Sequence, residues 1–129
     1  MHVLLAAFAL LTLIAQPVYA APGRVVTLIL PHKLQAGETA WLELKVGVIE
    51  RGAEIEITTK EGRFLGVISP FGIPSGGQAG IYTVPLPADV ISKDRVALRL
   101  TLNRDGHVQR APTAKELKSL RVKITPATQ

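Results

Sequence analysis

The nine residues RVALRLTLN, Arg95 to Asn103, alternate without a break between large aliphatic side chains and polar or small ones. Successive side chains of a strand point to opposite faces, so Val96, Leu98, Leu100 and Leu102 share one face. Arg95, Ala97, Arg99, Thr101 and Asn103 share the other. No helix with a 3.6-residue period could bury such a set on one side.

The same period recurs upstream. In ETAWLELKVGVIE, Leu42, Leu44, Val46 and Val48 fall on one face, with Trp41, Glu43 and Lys45 opposite. In AEIEITTK, Ile55, Ile57 and Thr59 point inward, and Glu54, Glu56, Thr58 and Lys60 point outward. Glu61-Gly62 reads as a hairpin turn in which Gly62 takes positive φ, and RFLGVI returns as the partner strand. Val25 to Leu30 is a short β-branched run stopped by Pro31. IYTVPLP carries Pro85 and Pro87, which cannot donate to a ladder, so this strand belongs at a sheet edge. RVKI closes the series. Thr113 to Glu116 has the spacing of a capping box, and with Leu117 and Leu120 it predicts a helix of about two turns.

About seven short strands, aliphatic inside and polar outside, predict two packed antiparallel sheets. The expected fold is an immunoglobulin-like β-sandwich with one short helix near the C-terminus. A small β-barrel is the alternative. Crossover helices for a parallel sheet are missing.

The chain has 129 residues. Residues 1–20, MHVLLAAFALLTLIAQPVYA, have the form of a secretory signal peptide: an apolar run, then Pro17, then small residues at the −3 and −1 positions before Ala21. The run of about 13 apolar residues falls short of the roughly 20 that span a bilayer. Retention as an anchor is the alternative, and the n-region carries no Lys or Arg. Residues 21–129 then form one domain, periplasmic or secreted. The chain has no cysteine. That excludes lipidation at Cys, thiol catalysis and thiolate metal sites, and it fits a bacterial envelope protein better than a disulfide-stapled scaffold.

The net charge is +5. Residues 93–129 hold nine Lys and Arg against three Asp and Glu, so the positive excess lies in the last third. Such a patch favours anionic partners. Arg95 and Arg99 lie on one face of a strand, and Arg121 and Lys123 alternate likewise on the last one. If those strands are neighbours, one basic face forms. The opposing expectation sets the stripe against Glu54 and Glu56, which neutralise it.

Catalytic sets are missing. His32 and His107 sit in turns, and neither belongs to an HxH or HExxH pattern. Ser75 is not in a G-x-S-x-G elbow. Asn103 to Gly106 lacks the later ligands of a calcium loop and reads as a turn. The expectation is a non-enzymatic chain with no cofactor and no metal, which binds a protein partner or an anionic envelope component as an accessory module. Nucleic acid is not an expected partner, and a membrane only as a peripheral contact. Carbohydrate binding through Trp41, Phe71 and Tyr82 is the first alternative, and a small hydrolase the second. The stretch SPFGIPSGGQAG, residues 69–80, either crosses between sheets with Phe71 and Ile73 plugging the core, or contacts the partner. The candidate partner-binding residues are Phe71, Ile73, Gln78, Arg95, Arg99, Arg121 and Lys123.

Overall fold

The computed structural model describes residues 22–70 and 80–127. Among the described residues seven strands form: β1 (Arg24–Ile29), β2 (Thr39–Val46), β3 (Ala53–Thr59), β4 (Phe64–Ile68), β5 (Ile81–Leu86), β6 (Arg95–Arg104) and β7 (Leu117–Thr125). A four-stranded sheet runs β1-β6-β3-β4, and a three-stranded sheet runs β5-β2-β7. Every pairing is antiparallel. The two sheets pack face to face as a β-sandwich and keep their own edge strands, so no barrel closes.

The alternating residues account for the packing. Leu42 and Leu44 of β2, Ile55 and Ile57 of β3, and Leu98 and Leu100 of β6 have no accessible surface. They come from the middle strand of one sheet and the two middle strands of the other. Gly66 of β4 brings the sheets close, since a Cβ there would stand 2.9 Å from a methyl of Val84 on β5.

The β2–β5 and β3–β6 pairs match the two central pairings of the immunoglobulin arrangement. The outer strands do not. There the first strand pairs with the second and the last with the sixth; here β1 pairs with β6 and β7 with β2. The two ends of the chain therefore occupy each other's positions.

The β3–β4 hairpin turns at Glu61-Gly62 as expected, with Gly62 at φ +104°. β5 is an edge strand, as its prolines demand. β4 and β5 belong to different sheets. Phe71, Ile73 and Gln78 lie outside the described residues, as does the segment 1–20.

Two expectations are corrected. The capping-box residues form one turn and no helix. Thr113 N–H donates to Glu116 Oε1 at 2.8 Å, and Glu116 N–H to Thr113 Oγ1 at 3.3 Å, but β7 begins at Leu117. A two-turn helix is marginal by itself, whereas pairing Leu117, Ser119 and Leu120 with β2 satisfies their backbone and buries Leu117. The only helical turn among the described residues is a 3-10 turn, Ala88–Val90. Secondly, Val48 does not continue the inward row. β2 ends at Val46, and Val48 is 84% exposed. Gly47 ends the ladder by packing directly on the 113–116 turn, its N–H donating to Glu116 O at 2.8 Å.

The β6 hairpin has an unfavourable turn. Ser92 and Arg95 exchange backbone hydrogen bonds of 2.9 and 3.0 Å around Lys93 and Asp94, which have φ of +52° and +59°. This is the two-residue turn that prefers Asn-Gly. Leu30 N–H donates to Asp94 O and ties the turn to the end of β1. The double variant Lys93→Asn, Asp94→Gly is expected to raise stability by about 1 kcal/mol, read as a higher urea midpoint with an unchanged slope.

Candidate binding surfaces

The two basic pairs are placed on different sheets. Arg95 and Arg99 lie on β6 in the four-stranded sheet, and Arg121 and Lys123 on β7 in the three-stranded one. The single basic face is therefore not formed. Glu54 and Glu56 do share the outer face of the four-stranded sheet with the arginines, but they sit further along it. Glu54 pairs with Asn103 and Glu56 with Thr101. Asn103 Nδ2 donates to Glu56 Oε2 at 2.9 Å. Register sets Arg99 in a row with Thr58 on one side and Val25 on the other.

That outer face carries an unanticipated feature. Register places Val25 and Ile29 of β1 opposite Arg99 and Arg95, Phe64 of β4 opposite Thr58, and Val67 opposite Glu56. All four of these apolar side chains are exposed, Phe64 by 60% and Ile29 by 67%. One row reads Phe64, Thr58, Arg99, Val25 across all four strands. Thr58, expected to be solvated, points outward yet is buried under this row. The result is a mixed apolar and cationic surface, acidic only toward Glu54 and Glu56. A sequence signal for it existed in β1, where VVTLI is apolar on both faces; a half-buried strand would show polar alternation.

The three-stranded sheet presents Trp41 in a row between Pro85 and Lys123, and Glu43 between Thr83 and Arg121. Trp41 is half-buried, and its Nε1–H donates to Thr125 Oγ1 at 2.9 Å. Arg121 Nε donates to Glu43 Oε1 at 2.7 Å. This hydrogen bond, with the charges of Arg121 and Lys123 adding to it, holds the Glu43 carboxyl below its ordinary range against the opposite pull of desolvation. Tyr82 pairs with Leu44 and so faces the core side. Trp41, Phe64 and Tyr82 thus point to three different places, and no described pair of rings forms a stacking platform.

The most elaborate polar cluster sits where the 113–116 turn meets β6. Arg110 donates through both terminal nitrogens to Glu116, at 2.7 and 2.9 Å. Glu116 is buried. The Arg110 hydrogen bonds, then those from Thr113, outweigh desolvation and lower its carboxyl from 4.5 to about 2. A carboxylate depressed on folding contributes stability above its unfolded value, and that contribution is lost as pH falls from about 4.5 toward 2. The wild-type protein is therefore expected to lose on the order of 2 kcal/mol through this group between pH 5 and pH 2, discounted because Arg110 is half exposed. Glu116→Gln should be less stable at pH 7 and should flatten that acid limb. Urea unfolding at a series of pH values measures both.

The two described histidines lie apart, one after β1 and one after β6. His32 Nδ1 is 2.9 Å from Lys33 O and 4.0 Å from Glu38 Oε1, too far for a hydrogen bond to the carboxylate. His107 is exposed in the turn after β6, beside the ion pairs Arg104–Glu50 and Arg110–Glu116. Among the described residues no group of three His, Asp or Glu could hold a metal ion, and no helix is long and apolar enough to cross a membrane. The chain matches no protein-family model, no curated protein and no solved structure at a significant level.

Proposed function

We propose that the protein is an exported, non-catalytic interaction module that binds a protein partner through the outer face of its four-stranded sheet. The observation carrying this reading is the exposure of Val25, Ile29, Phe64 and Val67 on the outer face of one sheet, the first two beside Arg99 and Arg95 of β6 and the other two on the opposite edge strand, β4. Several large apolar side chains exposed on one face of a small domain point to an interaction surface. Aromatic and arginine side chains are the types enriched at the centre of protein interfaces. The complementary partner presents an apolar patch with acidic groups set to meet Arg95. Export rests on the form of residues 1–20 and the lack of cysteine.

Site-specific photocrosslinking in intact host cells tests this. A crosslinking residue at Val25 is expected to give one discrete adduct, and the same residue at Thr83, on the outer face of the other sheet, none. Phe64→Asp in the same chain should remove the adduct, and 0.5 M salt should weaken it, because exposed charge pairs are screened. The adduct's share from this protein should begin at Ala21. Equal crosslinking from both faces, or an adduct indifferent to Phe64→Asp, would overturn the reading.

A further inference from the structure

A recess of about 270 Å³ lies beside β7, walled by Pro31, His32 and residues 121–124. Its charge sets it apart. Three other recesses contain acids in their walls that offset their bases: Glu50 and Glu116, Glu61 and Asp89, Glu54 and Asp105. The recess beside β7 is lined by Arg121, Lys123 and His32 with no acidic side chain. Two acids touch the lining residues from outside the recess: the Glu43 carboxylate pairs with Arg121, and that of Glu38 lies 4.0 Å from His32 Nδ1. Glu43 accepts from Arg121 Nε, and Glu38 accepts from Gln35 N–H at 2.7 Å.

Three features make the wall a donor surface. Among the described residues Arg121 is held by Glu43 through Nε alone, so its two terminal nitrogens keep their N–H groups for another acceptor. Among the described residues β7 pairs only with β2, which makes it an edge strand. Over four consecutive residues of an edge strand, alternate N–H groups point away from the sheet, and no described backbone group pairs with residues 121–124 on that side. Lys123 adds an ammonium two residues on, on the same outer face as Arg121.

We propose that this recess binds a phosphate group, with Arg121 as a fork, Lys123 as a point charge, and the free edge N–H groups of β7 completing the donors. A tetrahedral oxyanion uses donors from several directions, which a carboxylate's planar pair of oxygens cannot do equally well. The recess is open, so the phosphate enters still attached to the group that carries it. This site lies on the opposite sheet from the proposed protein-binding face, and each stands or falls without the other.

The test is titration of the ¹⁵N-labelled protein, purified in the form the cells produce, with inorganic phosphate. Saturable shifts are expected at His32 and residues 121–124, with a dissociation constant on the order of millimolar, as befits exposed charges. Lys123→Gln leaves the Glu43–Arg121 contact in place and should weaken binding about three- to tenfold. Arg95→Gln, on the other sheet, should leave it unchanged. A second arm adds vesicles of phosphatidylglycerol or phosphatidylcholine. Binding to the former that Lys123→Gln reduces identifies a lipid headgroup; saturable phosphate binding without vesicle binding identifies a soluble phosphate-bearing ligand. Non-saturating shifts, shifts spread equally over Arg95 and Arg99, or an affinity unaltered by Lys123→Gln would overturn the proposal.

Discussion

Leu100→Ala is expected to destabilise the protein by about 3–5 kcal/mol, the range for truncating a buried leucine whose surroundings cannot collapse. Leu100 has no accessible surface. It lies on β6, the one strand flanked by β1 and β3 together, and is placed opposite Ile57. A cavity there borders Ile57 within the buried core cluster, whose backbone is held by the β1–β6 and β3–β6 ladders. Domains of this size are stable by about 5–15 kcal/mol, so one substitution removes a large share. The melting temperature should fall by roughly 12 °C or more. Leu100→Met keeps the volume and should cost under about 1.5 kcal/mol. If Leu100→Ala cost less than that conservative change, the sandwich core would be wrongly assigned.

Gly47→Ala should be nearly as damaging, although it adds a single methyl group. A Cβ on Gly47 would lie 2.0 Å from the carbonyl oxygen of Lys115, with the Lys115 carbonyl carbon 3.2 Å away. Backbone on both sides must part, and the hydrogen bond from Gly47 N–H to Glu116 O is lost with it. Overpacking and a lost buried hydrogen bond together cost about 3 kcal/mol. Because that turn also positions the Glu116 carboxylate against Arg110, the variant should lose part of the acid limb as well. Gly52→Ala is the control: nothing lies within 4 Å of a Cβ there, but φ is +83°. It should cost only about 1 kcal/mol, from the left-handed backbone. Urea midpoints of the two variants, at pH 7 and pH 3, separate a packing clash from a backbone preference.

Most of the fold was legible because a strand buried on one face writes its burial as alternation. Leu42, Leu44, Ile55, Ile57, Leu98 and Leu100 were all readable from the period of two, and all are fully buried. The Glu61-Gly62 turn and the edge position of β5 followed from local chemistry of glycine and proline. The errors arose where two local signals competed. Thr113 to Glu116 carries real capping-box chemistry, and the hydrogen bonds form, yet the β2 ladder captures the chain one residue later. Val48 continues the alternation in sequence but lies past a glycine whose role is to let another segment approach.

The candidate surfaces were less legible, and for a different reason. Arg95 and Arg99, like Arg121 and Lys123, were correctly placed on outward faces. Whether the pairs joined depended on which strand lay beside which, and strand order is set by contacts between residues far apart in the chain. The amino-acid sequence by itself determined that this chain makes strands, which side chains each strand buries, and where its tight turns lie. These depend on neighbours one or two residues away. Only the tertiary structure decided that β1 and β7 exchange the places that an immunoglobulin arrangement would give them. That exchange splits the basic residues between two sheets and sets Val25 and Ile29 beside Arg99 and Arg95. It also leaves β7 an open edge next to Pro31 and His32. Pairing partners are chosen by the summed burial and hydrogen bonding of whole sheets, a quantity that no local stretch of sequence contains.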